Sequence, residues 1–378
     1  MARFRRRLRC SSCAWSSPVD RLFNLCPDCS LPLLVEYDLI PAPALRAEIR
    51  SRQSDTSRYI EVLPFDDVSE LAGLGEGCTP LLAASSLRSL ADVRFKDESK
   101  NPTRSFKARG MAVAVSMAKK LGATSLGAPT AGNAGCALSA YGARASLPVF
   151  VAMPRDTPRS IVDEALTYGA EVELVDGFIT DCARVVQARL AANGGFELST
   201  LREPYRVEGK KLMGYELLDD LDRLPDVILY PTGGGTGLIG MWKAFDEMER
   251  LGWIDASRPR LWSVQAEGCA PIVRAMEQGL DSAPAWENPV TGAWGLRVPR
   301  AIGDRLMLRA LRESGGGAIA VPESEIEPAA ARIRRDEGID AGPETGAALV
   351  ALERLAQMRL VRSDETVVVF NTGANKYV

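Results

Sequence analysis

Lys107 is the residue whose placement most suggests chemistry. It lies in Lys96-Asp97-Glu98-Ser99-Lys100-Asn101-Pro102-Thr103-Arg104-Ser105-Phe106-Lys107-Ala108-Arg109-Gly110-Met111, where a strand ends near Ser99, Asn101-Pro102 turns the chain and an Ala-rich helix begins. A helix N-terminus, partial burial and the charges of Arg104 and Arg109 all disfavour its ammonium form, which is how an amine becomes a nucleophile toward carbonyl carbon. Taken alone, it reads more readily as a solvated surface lysine. A second pattern, Pro231-Thr232-Gly233-Gly234-Gly235-Thr236-Gly237-Leu238-Ile239-Gly240, follows the apolar strand DVILY and opens a helix. Consecutive glycines let backbone N–H groups converge on an anion, and Thr236 adds a hydroxyl. The loop lacks the Lys-[Ser/Thr] of a Walker loop and the GxGxxG spacing, so a single small phosphate fits better than a nucleotide, with a merely flexible turn as the plain alternative. A third, Pro129-Thr130-Ala131-Gly132-Asn133-Ala134-Gly135, again joins strand to helix, with Asn133 either a ligand contact or an ordinary N-cap. A fourth, Asn371-Thr372-Gly373-Ala374-Asn375-Lys376, follows the strand TVVVF, where Thr372 either offers a hydroxyl at a sheet's carboxyl edge or simply closes the strand.

Four cysteines form two knuckles, Cys10-x2-Cys13 and Cys26-x2-Cys29. Four thiolates so spaced can surround one ion tetrahedrally, and a closed four-Cys site has no open position, so a zinc there is structural. Four unrelated small apolar residues in a short tail are the alternative. Cys78, Cys136, Cys182 and Cys269 are scattered singly and read as packing residues.

The elements that must position these residues follow from alternation. Strand candidates are VRFKDES, TSLGAPT, LPVFVAMP, EVELVDG, DVILYPTG, LWSVQAE and TVVVFNTG, interleaved with Ala-rich helical stretches such as MAVAVSMAKKLG and ETGAALVALERLAQ. Strand and helix in turn predict parallel α/β layers, and doubly wound sheets take ligands at the carboxyl ends of their strands. Residues 37–75 read as a connecting region with short helices at best.

Composition narrows the chemistry. The 378-residue chain holds no histidine, which removes Ser-His-Asp and Cys-His nucleophile activation, HExxH zinc hydrolysis and imidazole acid–base work. A net charge of -3 gives no general basic surface for nucleic acid or anionic membrane. MARFRRRLRC runs into polar residues without an apolar core, and no span approaches membrane-helix length, so a cytoplasmic protein is expected, where paired cysteines favour metal over disulfide.

In order, these segments resemble one family over nearly the whole chain: the threonine synthases, among the fold type II (tryptophan synthase β-like) pyridoxal-5′-phosphate enzymes. LGEGCTPLL, residues 74–82, is similar to the family's opening motif, and NPTRSFKARGM to the segment bearing its Schiff-base lysine, here Lys107. TAGNAG is similar to the segment whose asparagine, here Asn133, lies beside the cofactor's O3′. GGGTG resembles the loop on the cofactor phosphate, here Gly233, Gly234, Gly235, Thr236 and Gly237, and the late NTG places Thr372 opposite the pyridine nitrogen. Many threonine synthases also carry a four-Cys N-terminal element.

The resemblance implies two doubly wound open-sheet α/β domains, with residues 37–110 and 205–378 forming a large cofactor domain, 111–204 a small one and 1–36 a zinc-ribbon-like element. It implies pyridoxal phosphate, a structural zinc, a small amino-acid substrate and a homodimer. The implied reaction converts O-phospho-L-homoserine and water to L-threonine and phosphate, with Lys107 as the only candidate for moving protons. Thr130, Ala131 and Gly132 would line the substrate site. The sequence departs from the family where Arg104 and Ala108 replace the usual glycine and aspartate, and where Ala131 replaces a second hydroxyl residue. Arg104 is accordingly expected to bind the substrate's anionic group. The competing expectations are another β-elimination or β-replacement enzyme (a threonine/serine dehydratase, a cysteate synthase-like enzyme, or a hydroxy- or diamino-acid lyase) and a catalytically silent homologue that uses the four-Cys element for binding.

Overall fold

The computed structural model describes residues 4–376 and contains three sheets. β1 (Arg6–Cys10), β2 (Ser16–Pro18) and β3 (Leu33–Tyr37) form an antiparallel sheet in the order β2-β1-β3. Strict alternation on β3 buries Leu33, Val35 and Tyr37 while Leu34 and Glu36 lie half-buried, as a one-faced strand must.

The large sheet comprises β4 (Leu81–Ala83), β5 (Asp92–Asp97), β10 (Val227–Pro231), β11 (Arg260–Ala266), β12 (Gly317–Val321) and β13 (Thr366–Asn371). Its order is β12-β11-β10-β13-β5-β4, parallel throughout except for β4 against β5. The smaller sheet, with β6 (Leu126–Pro129), β7 (Val149–Pro154), β8 (Glu171–Val175) and β9 (Phe196–Glu197), runs β8-β7-β6-β9 and is wholly parallel. The central strands β7, β10 and β13 are buried at every position, which explains their unbroken apolar runs: helices cover both faces. The expected fold class, two open doubly wound α/β sheets, is what the structure shows. All seven strand candidates are present. Of the strands in the described residues, β4, β9 and β12 of these two sheets and β1, β2 and β3 of the N-terminal one were not among them.

Two helices join the sheets. Helix Lys107–Lys120 packs on helix Asn133–Ala145 of the small sheet and on helix Tyr205–Leu221. The latter pair touch backbone to backbone: a Cβ on Gly209 would lie 1.9 Å from the Arg109 carbonyl oxygen, so only glycine permits this crossing. Helix Tyr205–Leu221 lies outside the expected helices. It is buried nearly end to end, so its charges sit on all faces and leave no amphipathic period to read. Those charges are paired instead. Glu208 accepts from Tyr37 Oη of β3 at 2.7 Å and from Lys211 at 2.7 Å, and Lys211 reaches Glu247 at 2.8 Å.

The same helix faces the deepest ion-pair cluster. Arg109 donates Nε to Glu98 at 2.6 Å and Nη2 to Glu216 at 2.7 Å. Burial alone would raise the Glu216 carboxyl, but Arg109 and Lys96 outweigh it and hold Glu216 at about 2. This cluster ties the Lys107 segment to the large sheet. Among the described residues no helix is long and apolar enough to cross a membrane.

Candidate active site

The four strand-end turns singled out above, three of them opening a helix, meet at the carboxyl ends of parallel strands. β5 leads to Lys107, β6 to Asn133, β10 to the glycine loop and β13 to Thr372. This is where a doubly wound sheet opens a crevice. Backbone bonds lock two of the turns together: Phe106 N donates to Thr372 O at 3.0 Å, and Ala374 N to Arg104 O at 2.9 Å. Asn371 anchors the tip by donating to Asp97 Oδ1 at 2.7 Å and accepting from Thr345 Oγ1 at 2.6 Å. Asn133 closes in from the small sheet, its Nδ2 3.4 Å from where a Cβ on Gly373 would stand. Its Oδ1 is buried with no partner.

Lys107 is the first residue of its helix, its Nζ 3.8 Å from the centroid of the Phe106 ring. Burial, then the charge of Arg206, lowers its ammonium to about 7, against an opposing pull from Glu344. The sequence expectation of a depressed lysine stands, with a correction to its cause. Arg109 is committed to Glu98 and Glu216, and Arg104 pairs with Asp340 at 2.7 Å with 55% of its side chain exposed. The residue that lowers Lys107 is one the sequence reading passed over.

The glycine loop is built as a close cradle. Gly235 takes φ +75° ahead of helix Thr236–Arg250, and a Cβ there would stand 2.0 Å from Met307 Sδ. A Cβ on Gly234 would meet Thr200 Cγ2 at 2.6 Å. The loop is therefore packed against its surroundings, which excludes the flexible-turn alternative.

Helix Tyr205–Leu221 brings two cations to this loop. Lys210 donates to Thr236 Oγ1. Arg206 donates through Nη1 to Leu198 O at 3.1 Å and Thr200 Oγ1 at 3.4 Å, while its Nε and Nη2 are buried without hydrogen-bond partners. Glu203 stands 3.9 Å from Arg206 Nε; burial raises its carboxyl to about 7 even though Arg206 pulls the other way. Arg206 and Lys210 were missed with the helix that carries them, and Glu203 with the turn that precedes it. The charge density of REPYRVEGKK reads by itself as a solvated face, so the sequence carried no signal for them.

Thr130 and Gly132 are mutually bonded, Gly132 N donating to Thr130 Oγ1 at 3.2 Å. Ala131 lies half-buried beside them without a hydroxyl. The structure brings Lys107, Thr130, Ala131, Gly132, Asn133, Gly233 to Gly237 and Thr372 to one crevice and leaves the Arg104 guanidinium outside in its surface pair.

Cys10, Cys13, Cys26 and Cys29 place their sulfurs within 4.8 Å of one another. Ser12 N and Cys13 N each donate to Cys10 Sγ at 3.4 Å, and these bonds outweigh burial to lower that thiol to about 7. The element is tied to the small sheet, since Asn24 Nδ2 donates to Glu197 O of β9 at 2.8 Å and to Arg202 O just beyond it at 3.0 Å.

A lysine of lowered pKa, an unpartnered amide oxygen and a cation-flanked glycine loop at one sheet crevice fit pyridoxal phosphate, and the chain belongs to that class: the family model "Pyridoxal-phosphate dependent enzyme" matches residues 73–373. Maize serine racemase shares the fold with a TM-score of 0.69 at 19% identity, over 79% of this chain and 89% of that one. Serine racemase from Dictyostelium discoideum does so at 0.66 and 21% identity, over 79% and 92%. Within the class the chain belongs to the threonine synthase family. It is 34% identical to threonine synthase of Methanosarcina acetivorans over 97% of this chain and 91% of that protein. The corresponding enzyme of Methanocaldococcus jannaschii is 32% identical over the same shares.

Proposed function

We propose that the protein converts O-phospho-L-homoserine and water to L-threonine and phosphate. The carrying observation is Arg206, a buried guanidinium with two donors free of hydrogen bonds, which lies beside Thr200, the residue packed on Gly234, and depresses the ammonium of Lys107. A buried cation so placed suits a substrate that brings its own anion, and it stabilises the charge that develops as phosphate leaves. The anion-binding role expected of Arg104 passes to Arg206.

Lys107, Asn133, the loop Gly233 to Gly237 and Thr372 would hold pyridoxal phosphate, which when bound supplies an electron sink for charge developing at the substrate's α-carbon. Lys107 would be the residue that holds the cofactor, and it is placed to move protons at the substrate carbons; an amine lowered to about 7 can both accept and return a proton near neutrality. Thr372 would present a neutral hydroxyl, not a carboxylate, to the cofactor's ring, which suits elimination and replacement better than transamination. Thr130, Ala131 and Gly132 receive the substrate carboxylate. The four cysteines hold a structural zinc, supported by their mutual approach and the N–H bonds to Cys10. The same reading takes residues 111–204 as the smaller domain and the protein as a cytoplasmic homodimer acting on a small amino acid.

Ala131 favours one second reading, a β-elimination or β-replacement enzyme on another amino acid, because a hydroxyl that would bind substrate is absent there. Incubating the cofactor-loaded protein with O-phospho-L-homoserine separates the two. The first reading expects phosphate and threonine in equal amounts and no ammonia. Ammonia released from serine or threonine, with O-phospho-L-homoserine untouched, overturns it in favour of the second.

A further inference from the structure

Lys210 follows Arg206 by one helical turn, and its side chain is almost wholly enclosed, with 1% exposed. Its Nζ donates to Thr236 Oγ1 and lies 4.5 Å from the centroid of the Phe106 ring, the same ring on which Lys107 rests. The neighbouring Lys211 is satisfied by Glu208 and Glu247; Lys210, among the described residues, forms no ion pair with a carboxylate. Among the described residues, the three basic side chains around the crevice, Lys107, Arg206 and Lys210, feel two carboxyls, Glu203 and Glu344. An enclosed ammonium without a counter-charge is costly, and evolution keeps one where an anion will meet it.

The place of that anion is set by Thr236. It is the first residue of helix Thr236–Arg250, directly after Gly235 at φ +75°, where the helix N–H groups and the glycine amides converge. We propose that Lys210 is the counter-cation of the cofactor's phosphate, supplied across the crevice by helix Tyr205–Leu221 and aimed by the Thr236 hydroxyl. Two cations one turn apart thus divide two anions: Lys210 takes the cofactor's phosphate, and Arg206, whose free donors lie beside Thr200, takes the substrate's. Burial, with Arg206 and Lys107 adding repulsion, holds the Lys210 ammonium well below the usual lysine range. A phosphate dianion at Thr236 reverses that balance, so its binding takes up a proton from solvent. The proposal rests on the cofactor class and not on the choice of substrate, so either can fail without the other.

The test compares the affinity of the cofactor-stripped protein for pyridoxal phosphate and for pyridoxal, which shares the ring and carbonyl but lacks the phosphate. Lys210→Met is expected to weaken pyridoxal phosphate by about 10- to 100-fold, the worth of one charged hydrogen bond, while changing pyridoxal by less than about threefold. Lys210→Arg is expected to recover most of the difference. Equal loss of both ligands, or no loss of either, overturns the proposal. Calorimetry on the unmodified protein gives an independent reading, made in two buffers of different ionisation enthalpy near pH 8, where a phosphate monoester is already a dianion with its second pKa at about 6. Proton uptake on binding pyridoxal phosphate should exceed that on binding pyridoxal; equal uptake overturns the assignment even if the Met variant does not fold.

Discussion

Replacing Arg206 by methionine separates function from stability in a way few buried arginines would. The guanidinium has two buried donors, Nε and Nη2, with no hydrogen-bond partner, and its remaining contacts are single bonds to Leu198 O and Thr200 Oγ1 and a 3.9 Å ion pair from Nε to Glu203. If both free donors engage the substrate's phosphate, each as a charged hydrogen bond of about 1.5–3 kcal/mol, their loss removes about 3–6 kcal/mol of transition-state stabilisation. At about 1.4 kcal/mol per decade that is a fall in kcat/KM of about 10²- to 10⁴-fold. The folded state, in contrast, loses a poorly compensated cation. Glu203, already raised to about 7 by burial, rises further once the guanidinium is gone and is buried as the neutral acid. Thermal stability is therefore expected to hold or increase. The assay is phosphate release from O-phospho-L-homoserine, with the cofactor's affinity and the melting temperature measured on the same preparation. Because Arg206 is also the charge that lowers Lys107, the Lys107 amine in the variant should titrate above about 7. A kcat/KM within about threefold of the parent, or a stability loss as large as the activity loss, refutes the reasoning.

Three further outcomes follow from the same structure. Arg109→Met should behave oppositely to Arg206→Met: it leaves Glu98 buried without a cation and Glu216 with Lys96 alone, at a cost of about 3–5 kcal/mol, and a urea midpoint equal to the parent's would contradict the ion-pair cluster described. Glu203 is raised from 4.5 unfolded to about 7 folded, so the stability it contributes is complete below about pH 4.5 and is lost as pH climbs through about 7. Glu203→Gln should flatten the decline between those values, and an unchanged pH profile of the melting temperature counts against the assignment. Finally, Cys13→Ser should abolish zinc binding, measured by metal analysis, and weaken cofactor binding, because Asn24 and Tyr37 tie the four-Cys element to Glu197, Arg202 and Glu208. Cofactor affinity indifferent to the metal would show that this tie does not reach the crevice.

Much of this molecule is readable from one dimension because its signals are local. The runs DVILY, TVVVF and LPVFVAMP are unbroken because strands covered on both faces tolerate nothing else, and GGGTG and NPTRSFK mark turns whose backbone leaves few alternatives. Those features determined the fold class and placed Lys107, Asn133, the glycine loop and Thr372 at strand ends. Two knuckles of cysteine likewise announced their cluster. Tertiary structure alone decided which charges matter. Arg104 is near Lys107 in sequence, yet at φ 54° its side chain leaves the crevice for Asp340, while Arg206 arrives from a helix almost a hundred residues on. That helix is hidden from pattern reading because periodicity records a boundary between water and core, and helix Tyr205–Leu221 has scarcely any such boundary. Its arginine and lysine become cofactor and substrate groups only through burial against the glycine loop, a long-range property that no spacing of residues encodes.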